Sequence, residues 1–423
     1  MTHTECSLPV RVDAIASESS TAKADRILYW LAFGSAASIL FSIAVSQILL
    51  SIGILALLVS RRRLRFPPIA LPLGLFFAAT VIADLLSGDA LRGVPQIRKF
   101  FVFGIVLVIF NTFRSVSQIR NLVLSWAAIA TLSAGLALGQ FVRRWNDAVS
   151  LHAALYDYVL DGRITGFASH WMTYGGEQMI ALLLLLALLL FVPGGPWKIV
   201  GWGSAAIIWS AIVLGLTRSI FLAAVPAGAL VLAWNYKRWL ICVAPAVALV
   251  MFLAVPPQIQ DRVFSVFRPH GEVDSNSRRT IMARTGLRMI EAHPVFGIGP
   301  EQIQPQFLAY LPADVAQPLP KGWYGHLHNV YLQYAAERGL PALACILWII
   351  GKMARDFREA LKLPTQSGAR FIWLGALAVI AGILAEGFFE YNLGDSEVLT
   401  MFLATATCGY VAIGCREASL APK

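Results

Sequence analysis

ILYWLAFGSAASILFSIAVSQILLSIGILALLVS, residues 27–60, runs for 34 positions without a charged side chain, and RRRLR follows at 61–65. A helix needs about 20 apolar residues to cross the hydrocarbon core of a bilayer. The stretch is therefore too long for one span and reads as two short ones, with a turn near Ala44–Gln47. The arginines that follow mark a loop in water.

The same pattern recurs along the chain. Further apolar stretches at about 68–87, 100–113, 119–141, 178–193, 199–215, 219–235, 239–256, 329–351, 371–389 and 396–414 bring the expected total to about twelve spans. Composition agrees. Hydrophobic residues make up 57% of the 423 positions and charged residues 14%, with a mean hydropathy of +0.67. A soluble domain carries about 25% charged residues. A soluble globular protein, a disordered chain and a fibrous repeat are excluded, and the expected fold class is all-α and polytopic in a membrane. No internal repeat or low-complexity segment stands out.

The net charge of +10, from 34 Lys and Arg against 24 Asp and Glu, does not call for nucleic acid. Cytoplasmic loops and anionic membrane lipid account for such an excess. With the N-terminus inside, the inner connections at 61–67, 114–118, 194–198, 236–238 and 352–370 collect Arg61–Arg63, Arg65, Arg114, Lys198, Lys237, Arg238, Lys352, Arg355, Arg358, Lys362 and Arg370. That is the positive-inside pattern, and it places both termini in the cytoplasm. The expected organisation is an N-terminal tail at 1–26, nine spans over 27–256 with an outer loop at about 142–177, a large partly helical outer loop at 257–328, three spans over 329–414 and a tail at 415–423. The first 25 residues show no short apolar run before a small-residue cleavage site, so no removable signal peptide is expected. Five cysteines, including Cys6 in the N-terminal tail, lack the CxxC spacing of a metal knuckle or redox motif.

Six of the seven histidines, His152, His170, His270, His293, His326 and His328, fall in the two long outer loops. Histidine chemistry is therefore expected at the outer face. Gly325-His326-Leu327-His328-Asn329 sits where the large loop meets the next span. Asn329 is placed to cap that helix, and a neutral imidazole there can take a proton from a sugar hydroxyl. A solvated interface histidine, or a His-x-His metal pair, remains an alternative. No carboxylate or cysteine close in sequence completes a metal site.

Arginines accompany these histidines. Arg218 is the only charge between Ile199 and Tyr236. Such a run fits two spans joined by an outer turn at Arg218, because a guanidinium in mid-bilayer costs roughly 2.5–3.5 kcal/mol or more. An outer arginine calls either for an anion or for lipid phosphate within its reach. From Arg278 to Ile290, Ile281, Met282, Thr285, Gly286, Met289 and Ile290 share one helical face. Arg278 and Arg279 stand at its N-terminal end, with Arg284 and Arg288 on a flank. This predicts an amphipathic helix on or near the outer membrane surface, with the flanking arginines on lipid headgroups. A fourth patch, Arg163 to His170, reads either as a structural turn or as part of a sugar site. The chain contains no Walker A loop, dinucleotide fingerprint, HExxH or GxSxG, so no nucleotide, metal or other cofactor is expected. Acidic residues within the expected spans are few, and no chain of intramembrane carboxylates marks a proton-coupled transporter. A lipid-linked glycan transporter stands as the alternative of a different class.

At these residues the sequence resembles the O-antigen ligase family of multi-span bacterial glycosyltransferases, which includes O-antigen polymerases and related protein glycosylases. The family signature is His, then Asn, Ser or Gln, nine residues, Gly, two residues, and usually Gly, Thr or Tyr. Here His328-Asn329 is followed after nine residues by Gly339-Leu340-Pro341-Ala342, with Ala342 departing at the last position. Leu216-Thr217-Arg218-Ser219 and Arg288 to Pro300 are similar to the family as well. An aromatic residue commonly follows the family's second arginine four positions on; Ala283 stands at that place after Arg279, which leaves Arg278 and Arg279 both eligible. The resemblance covers most of 160–345.

It implies a GT-C-like membrane fold in the bacterial inner membrane, with its active site facing the periplasm. The implied donor is a glycan on undecaprenyl diphosphate, and the implied acceptor is a lipid A–core sugar or another glycan. In that frame Arg218 with Arg279 or Arg278 holds the diphosphate, His328 is the catalytic base, and Asn329, His326, Arg163 and His170 surround the sugars. O-antigen ligation is the leading expectation, and polymerisation of repeat units shares its donor chemistry.

Overall fold

The structure, a computed structural model, describes residues 10–153, 158–159, 161–242, 275–319, 324–363 and 368–420. No strand occurs among them. In chain order the principal helices are α1 (Val10–Ser38), α2 (Ile43–Val59), α3 (Ala70–Leu85), α4 (Ala90–Lys99), α5 (Gly104–Thr112), α6 (Val116–Ser150), α7 (Trp171–Phe191), α8 (Trp197–Leu214), α9 (Val225–Tyr236), α10 (Ser275–Ala292), α11 (Val330–Lys362), α12 (Arg370–Gly387) and α13 (Ser396–Leu420). A π-helical turn at Ser219–Ala224 leads directly into α9, and a 3-10 turn at Phe100–Phe103 joins α4 to α5. The expected span at 239–256 lies outside the described residues from 243 on, as do His270, Cys6 and the 257–274 part of the large loop.

Seven helices among the described residues are long and apolar enough to cross a membrane: Ala90–Thr112, Val116–Ser150, Trp171–Phe191, Trp197–Leu214, Ser219–Tyr236, Arg370–Gly387 and Ser396–Glu417. Two shorter apolar helices, α2 and α3, join them. This is a multi-pass membrane protein. Its outward faces carry exposed apolar side chains such as Ile48, Leu55, Leu132, Ile199 and Val200, which lipid covers without cost. The centre is formed by α7, α12 and α13, whose apolar positions are buried nearly all round, as expected of helices hydrophobic on every side. Close approach there uses small residues: a Cβ at Gly228 of α9 would meet the Ala378 carbonyl of α12 at 2.8 Å.

The 27–60 run folds as two helices, with its turn at 39–42 rather than 44–47. Ser42 caps α2 by accepting the Val45 N–H at 3.4 Å, and a capping serine inside an apolar run carries no hydropathy signal. The smaller of the two expected outer loops is also shorter than the expected 142–177. Helix α6 continues to Ser150, because Arg143, Arg144 and Asp147 extend it beyond the apolar stretch as an ordinary polar helix, and at 35 residues it measures about 52 Å. Helix α7 begins at Trp171, since Glu177 is buried within it rather than ending it.

Helix α11 is broken at Gly339, whose φ is +80°. Pro341 has no N–H to give the Glu337 carbonyl, as a continuous helix would require. The freed acceptors are taken by the 294–299 segment: Ile298 N–H donates to Ala336 O at 2.8 Å and Gly299 N–H to Glu337 O at 3.0 Å, while Leu340 N–H turns away to Pro294 O at 2.8 Å. The break thus pins the described end of the large loop to the helix that follows His328.

The two ends of the bundle differ in chemistry. At one, Arg62 pairs with Asp25, Arg65 is held by Asn111, and Cys415 Sγ donates to Arg114 O at 3.1 Å. These are residues of the expected inner connections and the nearby chain. The arginines and histidines of the expected outer loops meet at the other end.

Candidate functional site

The turn that carries His328 is fixed from several directions. Asn329 Oδ1 accepts the Leu332 N–H at 2.9 Å, which makes it the N-cap of α11, and its amide nitrogen donates to Phe388 O at 3.1 Å. Both ends of that side chain are therefore engaged in structure, and Asn329 is not among the residues lining the cavity described below. Leu327 N–H donates to Gln333 Oε1 at 2.8 Å, and the Leu327 side chain packs beneath Gly286 of α10. The result is an unusual backbone: His328 has φ +48°, in the left-handed region. A non-glycine residue held there costs on the order of 1–3 kcal/mol and persists only where its surroundings over-determine it.

Glu390, which the sequence reading did not single out, faces His328. Its Oε2 lies 2.8 Å from His328 Nδ1, and its Oε1 pairs with the Arg279 guanidinium. The carboxylate side chain is only 2% exposed. Opposite a carboxylate oxygen, Nδ1 donates its proton, which leaves Nε2 as the lone-pair nitrogen. The carboxylate that His328 lacks nearby in sequence thus arrives from the connection after α12. Among the described residues, no three His, Cys, Asp or Glu side chains cluster as a metal site.

Around this pair lies a cavity of about 290 Å³ that brings together Arg163, His170, Arg218, Arg278, Arg279, His326, His328 and Glu390. Every site residue expected from the sequence lines it apart from Asn329. Each comes from a separately built element. Arg218 stands at the 215–218 turn, which the break in apolar sequence foretells, just before the π-helical turn. Arg278 and Arg279 stand in the first turns of α10. The Arg163–His170 segment is strapped to α6: Gln140 Oε1 accepts the N–H groups of Thr165 and Gly166 at 3.0 and 3.1 Å, and Ser133 Oγ accepts that of Phe167 at 3.1 Å. It is a structural turn, and it also delivers two cavity residues. His170 Nδ1 caps α7 through the Met172 N–H at 3.2 Å, and the Arg163 guanidinium lies 3.9 Å over the Trp171 ring.

Helix α10 has the expected apolar face, but that face meets protein. Met282, Met289 and Leu327 join Ile298, Ile303, Phe307 and Ala336 in a small core, with Ile281 and Ile290 at its edge. Periodicity identifies the face and not its partner. The flanking arginines are engaged as well: Arg284 forks onto Asp314 at 2.7 and 2.9 Å, and Arg288 donates to Leu311 O at 3.1 Å.

Four guanidinium groups against one carboxylate give the cavity a positive field. The field and burial act on His326 in the same direction. Burial, followed by the neighbouring His328, His170 and Arg279, pushes His326 down to about 3; burial lowers His170 also. His326 Nδ1 accepts the His328 backbone N–H at 3.3 Å, so its proton sits on Nε2. Ser219 Oγ and Arg278 Nε, both of cavity residues, are buried without a hydrogen-bond partner among the described residues. The arrangement can hold a polyanion and, beside it, accept a proton.

A helical membrane protein with an arginine- and histidine-lined cavity at one end of its bundle is the class that fold and site define. One stretch of the chain, residues 203–347, matches the family model described as O-antigen ligase. It contains Arg218, Arg278, Arg279, His326, His328 and the Gly339 break, and excludes Arg163, His170 and Glu390. No curated protein matches the chain.

Proposed function

We propose that this protein is a membrane glycosyltransferase that moves a glycan from undecaprenyl diphosphate to a sugar hydroxyl, and that it acts as an O-antigen ligase with lipid A–core as acceptor. The observation that carries the reading is the convergence of Arg218, Arg278, Arg279 and the His328–Glu390 pair on one cavity. Guanidinium groups match phosphate oxygens through paired, charge-assisted hydrogen bonds. In this reading Arg218 and Arg279 clamp the diphosphate, with Arg278 alongside. His328 Nε2 takes the proton from the acceptor hydroxyl, the oxygen attacks the anomeric carbon, and the lipid diphosphate leaves with inversion. Glu390 orients the imidazole and stabilises it once charged. Neutralising the leaving group by fixed arginines supplies the electrostatic stabilisation that a divalent ion gives other enzymes. The site end faces the periplasm of a bacterial inner membrane, and both termini lie in the cytoplasm.

The test is transfer by purified protein from a labelled undecaprenyl-diphosphate glycan to lipid A–core, without nucleotide or added metal. The expected result is labelled product and released undecaprenyl diphosphate from the unaltered protein, and none from His328→Ala. Full activity of that variant overturns the reading. The same donor chemistry serves a polymerase, and the glycan of a deletion strain separates the two: full-length chains left on the lipid carrier mean ligation, and single repeat units mean polymerisation.

A further inference from the structure

A second cavity, of about 240 Å³, adjoins the first and shares His170, Met172 and His326 with it. Its chemistry is the opposite. No guanidinium lines it; its charged groups are Lys99 with Glu301 and Asp395, set among amides, hydroxyls and the carboxyl of Glu386. The carboxylates outnumber Lys99 and disfavour a diphosphate at this wall, while the arginines attract it next door. The ligand that suits the second wall is uncharged and rich in hydroxyls, because each hydroxyl both donates and accepts.

The wall is fixed by its own bonds. The Thr173 hydroxyl donates to Asp395, whose other oxygen accepts the N–H groups of Glu397 and Val398 at 3.1 and 3.2 Å. Lys99 Nζ donates to Gly394 O at 2.8 Å, and the Asn392 amide donates to Glu386 Oε2 at 3.2 Å. Polar groups held this way select a ligand by geometry instead of adapting to it.

Position adds the second argument. Inversion requires the attacking oxygen to approach opposite the leaving group. The arginines lie in the first cavity, and His326 stands at the join, its ring centroid 4.1 Å from that of His328. A sugar in the second cavity presents a hydroxyl beside the imidazoles, with the arginines beyond.

We propose that the second cavity seats the acceptor, an uncharged and hydroxyl-rich terminal sugar, with its reacting hydroxyl at the join of the two cavities. This rests on the transferase reading above. The hydroxyl proton passes to His328, the oxygen–anomeric carbon bond forms, and the bond to the diphosphate breaks with its electron pair on the leaving phosphate.

The experiment measures acceptor and donor KM separately for Thr173→Val, Asp395→Asn and Lys99→Gln in the full-length protein. Binding of undecaprenyl diphosphate and the thermal midpoint are read in the same preparations. The expected result is a rise of about tenfold in acceptor KM, the size of one lost hydrogen bond, with donor KM unchanged. A second arm compares an acceptor oligosaccharide with the same molecule phosphorylated on its terminal sugar, which is expected to be the poorer acceptor. Unchanged acceptor KM in all three folded variants overturns the assignment, and so does a rise confined to donor KM. If the unaltered protein binds undecaprenyl diphosphate but transfers nothing, the transferase reading and the acceptor seat both fall. If it transfers and only the KM pattern fails, the seat alone falls.

Discussion

Glu390 Oε2 stands 2.8 Å from Nδ1 of His328, and the same carboxylate holds Arg279 with its other oxygen. The proposed base and a proposed diphosphate ligand therefore share one buried anion. That couples leaving-group binding to the state of the imidazole. Glu390→Gln keeps the shape and removes the charge that stabilises a protonated ring. Its kcat should fall about a hundredfold or more, in the range of general-base catalysis, with a small change in donor KM. Steady-state kinetics at saturating donor measure this, and an unchanged kcat would remove Glu390 from the mechanism.

Arg279 tests the other half of the relationship. Arg279→Lys keeps the charge and loses the planar fork, so donor KM should rise about tenfold or more while the fold survives. Arg279→Ala goes further. It leaves the Glu390 carboxylate buried without its cation, which costs about 3–5 kcal/mol when a buried pair is broken. The alanine variant should lose thermal stability as well as donor affinity, and pairing it with Glu390→Gln should restore part of the stability. A double-mutant cycle on thermal midpoints gives that coupling, and strictly additive losses would contradict the pairing.

Gly339 occupies the break that anchors the 294–299 segment. A Cβ there would collide with the Val295 carbonyl, and the backbone sits at φ +80°. Gly339→Ala must close the break or displace the segment. The expected outcome is a destabilisation of at least about 1–3 kcal/mol from backbone strain alone, together with a loss of transfer because the turn bearing His328 begins the same helix. Normal thermal stability and activity in Gly339→Ala would show that the helix accommodates the methyl group without cost.

Hydropathy and charge made the helices, the two-helix reading of 27–60 and the turn at Arg218 legible, because a bilayer penalises each buried charge locally. The Asn329 cap and the apolar face of α10 were legible because both are set within a few residues. Glu390 was not, since it meets His328 from 62 residues away and sits after a span with no spacing motif to announce it. A histidine expected to act as a base does call for an orienting carboxylate, and the short connection at 390–395 carries two acidic residues on the expected outer side. The break in α11 had a local signal, a glycine two residues before a proline, hidden within an apolar stretch that reads as one span. The lipid role expected for the α10 face failed because periodicity states that a face is buried and leaves open against what.

His326 offers a test that depends on pH. Burial holds its folded value down to about 3, against 6.5 for an ordinary histidine. Below about pH 6.5 the unfolded chain takes up a proton that the folded protein refuses until about pH 3, so the unfolded state binds more protons throughout that window and stability falls as pH falls. The loss is fully absent above the ordinary histidine range. His326→Gln removes the titrating group and should flatten part of the decline. The thermal midpoint of unaltered protein and variant, compared at about pH 7.5 and about pH 4.5, checks this linkage. The gap between the two proteins should narrow, or reverse, in acid. An identical decline in both would mean that His326 is not a half-buried neutral imidazole at the join of the two cavities.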